Sequence, residues 1–171
     1  AYAQRSHINQ ATKDEDIKAA ISHFKNALTI HTRENFPQYY AETQKNLANI
    51  YYGAERYQDA YNAYKEAIDT AESLRTQIIS GSQSEEDKKK LAEEWKSAYQ
   101  GMVATCLKLE SCNQELEYRN EAIEYVERSK ARNIAELIHQ HSSSLEQLSP
   151  ISFEQIKYFL DEKTSIVEWY F

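Results

Sequence analysis

The sequence predicts an all-α fold of antiparallel helix pairs stacked into an α-α superhelix, with a short C-terminal helix and a lone strand-like tail. Three observations predict it. The 171 residues include only three Gly and two Pro, fewer turn residues than a chain rich in β-strands needs. A pattern of small and aromatic residues recurs at helical spacing. A separate helical segment with its own apolar stripe precedes the clearest copy of that pattern.

The recurring pattern is a large apolar residue, then Ala three positions later, an aromatic residue four further on and Ala three after that. Its clearest copy consists of Tyr57, Ala60, Tyr64 and Ala67. An earlier copy starts at Ile17, and a weaker third one has Val126 in the aromatic position and Ser129 in place of the second Ala. Steps of three and four place these residues on one face of a helix.

The physical need behind the pattern is close packing of two helices. A small residue lets the neighbouring helix approach, and the large ring four residues later fills the next gap. The neighbour of the clearest copy is predicted over 41–54, where Leu47, Ala48 and Tyr51 form the buried stripe. Pro37 precedes this segment, at a place where the first turn of a helix tolerates proline.

This helix pair resembles a tetratricopeptide repeat (TPR). The matching residues are Leu47, Ala48, Tyr51, Tyr57, Ala60, Tyr64 and Ala67. Ala48 stands where the family usually has Gly, and Glu72 stands where it has a closing Pro. The repeat length of 40 residues is similar to the longer TPR variants of kinesin light chains and many bacterial regulators. An unrelated bundle of α-hairpins is the alternative interpretation.

The register of the repeats gives the expected organisation of the chain. We expect helices over 1–8, 16–34, 38–54, 57–80, 85–110 and 115–140, with an enlarged turn at 9–16. The repeats then cover about 1–36, 37–80 and 84–141. A polar linker over 142–151 leads to 152–171, where a short helix is followed by a β-branched and aromatic run that is typical of a strand. A strand needs a partner and no second one is predicted, so we expect the chain to stop at the start of a further domain.

Residues 122–133 look like the junction between TPR repeats and a CHAT domain, a caspase-like relative of cysteine proteases found behind bacterial TPR arrays, notably in cyanobacteria. The Ser-Lys-Ala-Arg sequence at 129–132 carries this resemblance. The run 166–170 is similar to the first strand of such domains. In that family the catalytic His and Cys lie well downstream of this strand, and neither is present in these residues. The resemblance therefore implies that the chain is not itself an enzyme and regulates an attached caspase-like domain.

The resemblance also indicates a binding face. The first helix of each pair lines the concave side of a TPR superhelix, and the family pattern places Lys45, Asn46, Asn49 and Tyr52 there. Lys45 and Asn49 resemble half of a carboxylate clamp, in which an ammonium and an amide hold the C-terminus of a peptide. The next repeat offers Gln100 where a full clamp needs further basic and Asn residues. We therefore expect a protein or peptide partner, and a plain solvated helix face is the alternative.

Composition excludes other classes of function. The formal net charge of −7 argues against a nucleic-acid partner, and no run of about 18 apolar residues predicts a membrane span. Cys106 is expected in the core, and two cysteines make neither a disulfide framework nor a zinc site. His139 and His141 are not expected to bind a metal. The sequence predicts a cytoplasmic protein without a cofactor, metal or catalytic residues.

A second interpretation is architectural. The two long helices over 85–110 and 115–140 would then form the seam of a homodimer, and the chain would assemble rather than recruit.

Overall fold

The computed structural model describes the backbone of residues 2–79 and 85–141 and the side chains of residues 13–74 and 95–130. Within these ranges the chain is built of helices and contains no strand, which confirms the all-α fold. The five helices are α1 (Tyr2–Ile30), α2 (Pro37–Gly53), α3 (Tyr57–Ile79), α4 (Glu85–Asn113) and α5 (Leu116–His141). The predicted C-terminal helix and strand-like tail lie outside the described residues.

The chain divides into two compact units, Ala1–Ser84 and Glu85–Phe171, which we call the first and the second unit. In the first unit α1 packs on α2 and α2 packs on α3, and in the second unit α4 packs on α5. None of the helices in the described ranges is long and apolar enough to cross a membrane.

The prediction of a separate helix over 1–8 and an enlarged turn over 9–16 is wrong, because α1 runs unbroken from Tyr2 to Ile30. The physical reason is local. The predicted turn contains no Gly or Pro, and its Ala, Lys and Glu residues favour a helix. The helix ends where the chain turns over 31–36 and Pro37 opens α2.

The small residues of the repeat pattern form the core of the first unit. Ala48 of α2 and Ala60 and Ala67 of α3 have no exposed surface, and the rings of Tyr51 and Tyr64 are buried with them. The predicted packing of small residues against large rings is confirmed for this helix pair. The earlier copy is looser, because Ile21 is buried while Ile17 and Phe24 are half-buried.

The turns after α2 and after α4 each contain one residue in the left-handed conformation. After α2 this residue is Glu55, with φ of 59°, and after α4 it is Gln114, with φ of 57°. The backbone N–H groups of Glu55 and Arg56 donate to the carbonyls of Tyr52 and Tyr51. This pair of bonds is a Schellman motif, which satisfies carbonyl groups that the helix end leaves open.

The core of the second unit follows the weak third copy of the pattern. Ala122, Val126 and Ser129 of α5 are all buried, as their spacing predicts. The facing stripe of α4 is also buried, and it consists of Trp95, Tyr99, Met102 and Cys106. The prediction that Cys106 is a core residue is confirmed. At the turn, Arg119 forms an ion pair with Glu110, which joins the start of α5 to the end of α4.

Candidate functional site

The predicted site residues of the first unit share one side of α2. Lys45, Asn49 and Tyr52 follow at i, i+4 and i+7, so they form a stripe along the helix, and Asn46 lies at its flank. Asn46 and Asn49 are exposed, whereas Lys45 and Tyr52 are half-buried. We call these four residues the α2 face. It presents two amide groups, an ammonium group and an aromatic ring to the same side of one helix.

Asn49 is held in place by α3. The hydroxyl group of Tyr64 donates a hydrogen bond of 2.5 Å to Oδ1 of Asn49. Tyr64 is only 3% exposed, so its ring lies in the core while its hydroxyl group reaches the edge of the α2 face. Burial, followed by the nearby Tyr52, raises the pKa of Tyr64 to about 12. The hydroxyl group therefore keeps its proton at neutral pH.

The ring of Tyr52 is supported in the same way by the start of α3. It meets the Tyr57 ring edge to face, with 5.6 Å between ring centroids and an interplanar angle of 64°. Such pairs stabilise by about 0.5–1.5 kcal/mol beyond the area that they bury. Two residues of the α2 face, Asn49 and Tyr52, thus have their orientation set by side chains of the next helix.

A comparison of the sequence with known protein families supports a repeat structure for the helices of the first unit. Residues 3–73 match the family model of the tetratricopeptide repeat. The first unit therefore has a TPR-like fold. The match spans nearly all of α1, the whole of α2 and most of α3. No curated protein and no solved structure matches the chain.

Arg56 stabilises the turn between α2 and α3. Its guanidinium carbon lies 4.6 Å from the centroid of the Tyr51 ring, within the range of a cation–π interaction. The same group donates to Asp59 on the first turn of α3, with Nε to Oδ2 at 2.7 Å. The turn is therefore held by one charged side chain that contacts both helices of the pair.

Gln100, the remaining predicted site residue, belongs to the second unit. It is half-buried on α4, one residue before Gly101, whose carbonyl accepts a hydrogen bond of 2.6 Å from the Thr105 hydroxyl group. Its role in binding stays a prediction.

The sequence pattern did not predict two features of the first unit. Tyr64 was assigned to packing alone, although a Tyr at a buried position signals that its hydroxyl group needs a hydrogen-bond partner. A second group lies at the turn between α1 and α2, where the His31 ring stacks on Tyr39 with centroids 5.2 Å apart and meets the edge of Phe36. Tyr39 is 56% exposed and Phe36 is 47% exposed. An argument from hydrophobicity alone would place such aromatic residues in the core.

The two thiols differ in their surroundings. Cys106 is buried and Cys112 is exposed at the end of α4. Burial, then the charge of Glu121, raises the pKa of the Cys106 thiol to about 12, so this thiol stays protonated and unreactive. Among the residues that the structure describes, no three His, Cys, Asp or Glu side chains come together in a group that could hold a metal ion.

Proposed function

We propose that the chain is a protein–protein interaction module that binds a peptide or protein partner on the α2 face. Tetratricopeptide repeats generally mediate protein–protein interactions. The observation that carries the proposal is the exposed amide of Asn49, which a hydrogen bond from buried Tyr64 holds in one orientation. A side chain that is both exposed and fixed loses little conformational entropy when it binds a partner.

The chemistry of the α2 face suits an extended peptide. The Asn46 and Asn49 amides offer donors and acceptors to main-chain peptide groups, and the Lys45 ammonium group pairs with a carboxylate. The half-buried ring of Tyr52 adds an apolar surface that a partner can contact. In a superhelix this face would be the concave one.

The test uses a peptide selected on the immobilised chain from a random library and then labelled with a fluorophore. Anisotropy measures its affinity for the chain and for two variants. Asn46→Arg places a long charged side chain on the α2 face, and we expect it to weaken binding at least tenfold. Asn62→Arg makes the same exchange at an exposed position of α3 and should leave the affinity unchanged.

If the two variants bound the selected peptide with equal affinity, the α2 face would be excluded as its binding site. Both are surface exchanges, which usually change stability by no more than about 0.5 kcal/mol, so a difference in affinity would not come from unfolding.

We further propose that partner binding regulates an attached caspase-like domain. The support is the resemblance of residues 122–133 to the segment that precedes CHAT domains. In the structure four residues of that segment are buried in the second unit, namely Ala122, Tyr125, Val126 and Ser129. The test is peptidase activity of a longer chain that contains such a domain, with and without the selected peptide. The proposal would be contradicted if the peptidase activity changed neither on addition of the peptide nor on the Asn46→Arg substitution.

Self-association through α4 and α5 is the second candidate function. Two leucines near the hairpin turn of the second unit favour it, because Leu107 is 48% exposed and Leu116 is 65% exposed. Light scattering over a range of concentrations tests it. We expect a dimer that becomes a monomer when both leucines are replaced by Ser, and a strict monomer at all concentrations would exclude this function.

A further inference from the structure

We draw no further inference here: the strongest candidate, the surface patch that the exposed rings of Phe36 and Tyr39 form around His31 at the turn between α1 and α2, is an unpartnered apolar face, and nothing in the structure shows what covers it.

Discussion

The hydroxyl group of Tyr40 donates a hydrogen bond of 3.1 Å to the Glu66 carboxylate, which ties the first turns of α2 to the middle of α3. The same carboxylate lies 3.6 Å from the Arg33 guanidinium group in the preceding turn. Gln44 donates to the Tyr40 oxygen over 3.0 Å. Burial, the largest cause, raises the pKa of Tyr40, so its hydroxyl group remains a donor. Glu66 is thus shared by both helices and by the turn before them.

Two substitutions at Glu66 separate its hydrogen bond from its charge. Glu66→Gln keeps an acceptor for Tyr40 and removes the ion pair, and Glu66→Ala removes both. The side chains of Arg33 and Glu66 are 44% and 48% exposed, so solvent screens the pair and it stabilises by no more than about 1 kcal/mol. We expect Glu66→Gln to lower the free energy of unfolding by about 0.3 kcal/mol and Glu66→Ala by about 1 kcal/mol. Urea unfolding measures both.

Glu34→Ala is the control for these variants, because Glu34 is exposed in the same turn and should change stability by less than about 0.5 kcal/mol. Equal losses in Glu66→Gln and Glu66→Ala would assign the whole effect to charge and contradict a contribution from the Tyr40 bond.

The sequence predicted what depends on periodicity and missed what depends on individual polar atoms. Ala60 and Ala67 lie about two helical turns apart, so both lie on the same face of α3, and that face is buried. The spacing that places them there can be read from the sequence. The course of α1 was predicted wrongly, since a polar segment without Gly or Pro carries no signal that separates a turn from a solvated helix. The Tyr64–Asn49 bond joins residues 15 positions apart, and its geometry follows from how α2 and α3 cross, which the pattern does not specify.

Enlarging a small core residue of α3 should destabilise the first unit. Ala67 has no exposed surface, so the three extra carbon atoms of Ala67→Leu have no space between the helices. We expect a loss of about 1–3 kcal/mol, measured by urea unfolding. Ala19→Leu makes the same exchange at an exposed position of α1, where it should cost less than about 0.5 kcal/mol. Equal stability of the two variants would mean that the α2–α3 packing is not as described.

Glycine at the left-handed turn residue should stabilise the hairpin. Glu55 has φ of 59°, a conformation that costs an L-residue roughly 1–2 kcal/mol and glycine almost nothing. We therefore expect Glu55→Gly to raise the midpoint of urea unfolding by an amount equivalent to about 1 kcal/mol, and Gln114→Gly to act similarly in the second unit. Lys65→Gly, at an exposed position inside α3, should instead lower stability by about 0.5–1 kcal/mol. A loss of stability in Glu55→Gly would contradict the Schellman geometry of this turn.

The two thiols should react with a disulfide reagent at very different rates. Cys112 is exposed and Cys106 is buried, and only the thiolate form of an accessible cysteine is a good nucleophile. We expect one thiol per chain to be modified rapidly under native conditions and two after unfolding in urea. Cys112→Ser should abolish the rapid phase and leave the slow one. Rapid modification of the Cys112→Ser chain would show that the α4–α5 core opens readily.

Alkaline pH should destabilise the second unit through Cys106. Burial raises the pKa of this thiol from its ordinary value of 9.0 to about 12 in the folded chain. Between these two values the unfolded chain has lost the proton and the folded chain retains it, so the unfolded state binds fewer protons and stability falls as pH rises. The stability that the protonated Cys106 thiol contributes is fully present below pH 9. Above pH 9 the free energy of unfolding falls with a slope that approaches about 1.4 kcal/mol per pH unit.

Urea unfolding at a series of pH values from 8 to 11 measures that slope. Cys106→Ala should flatten it, although the variant is less stable at every pH, while Cys112→Ala should retain it because Cys112 is exposed and not part of the core. An unchanged slope in Cys106→Ala would assign the alkaline loss to other groups, with buried Tyr64 the next to test because its pKa is also raised to about 12.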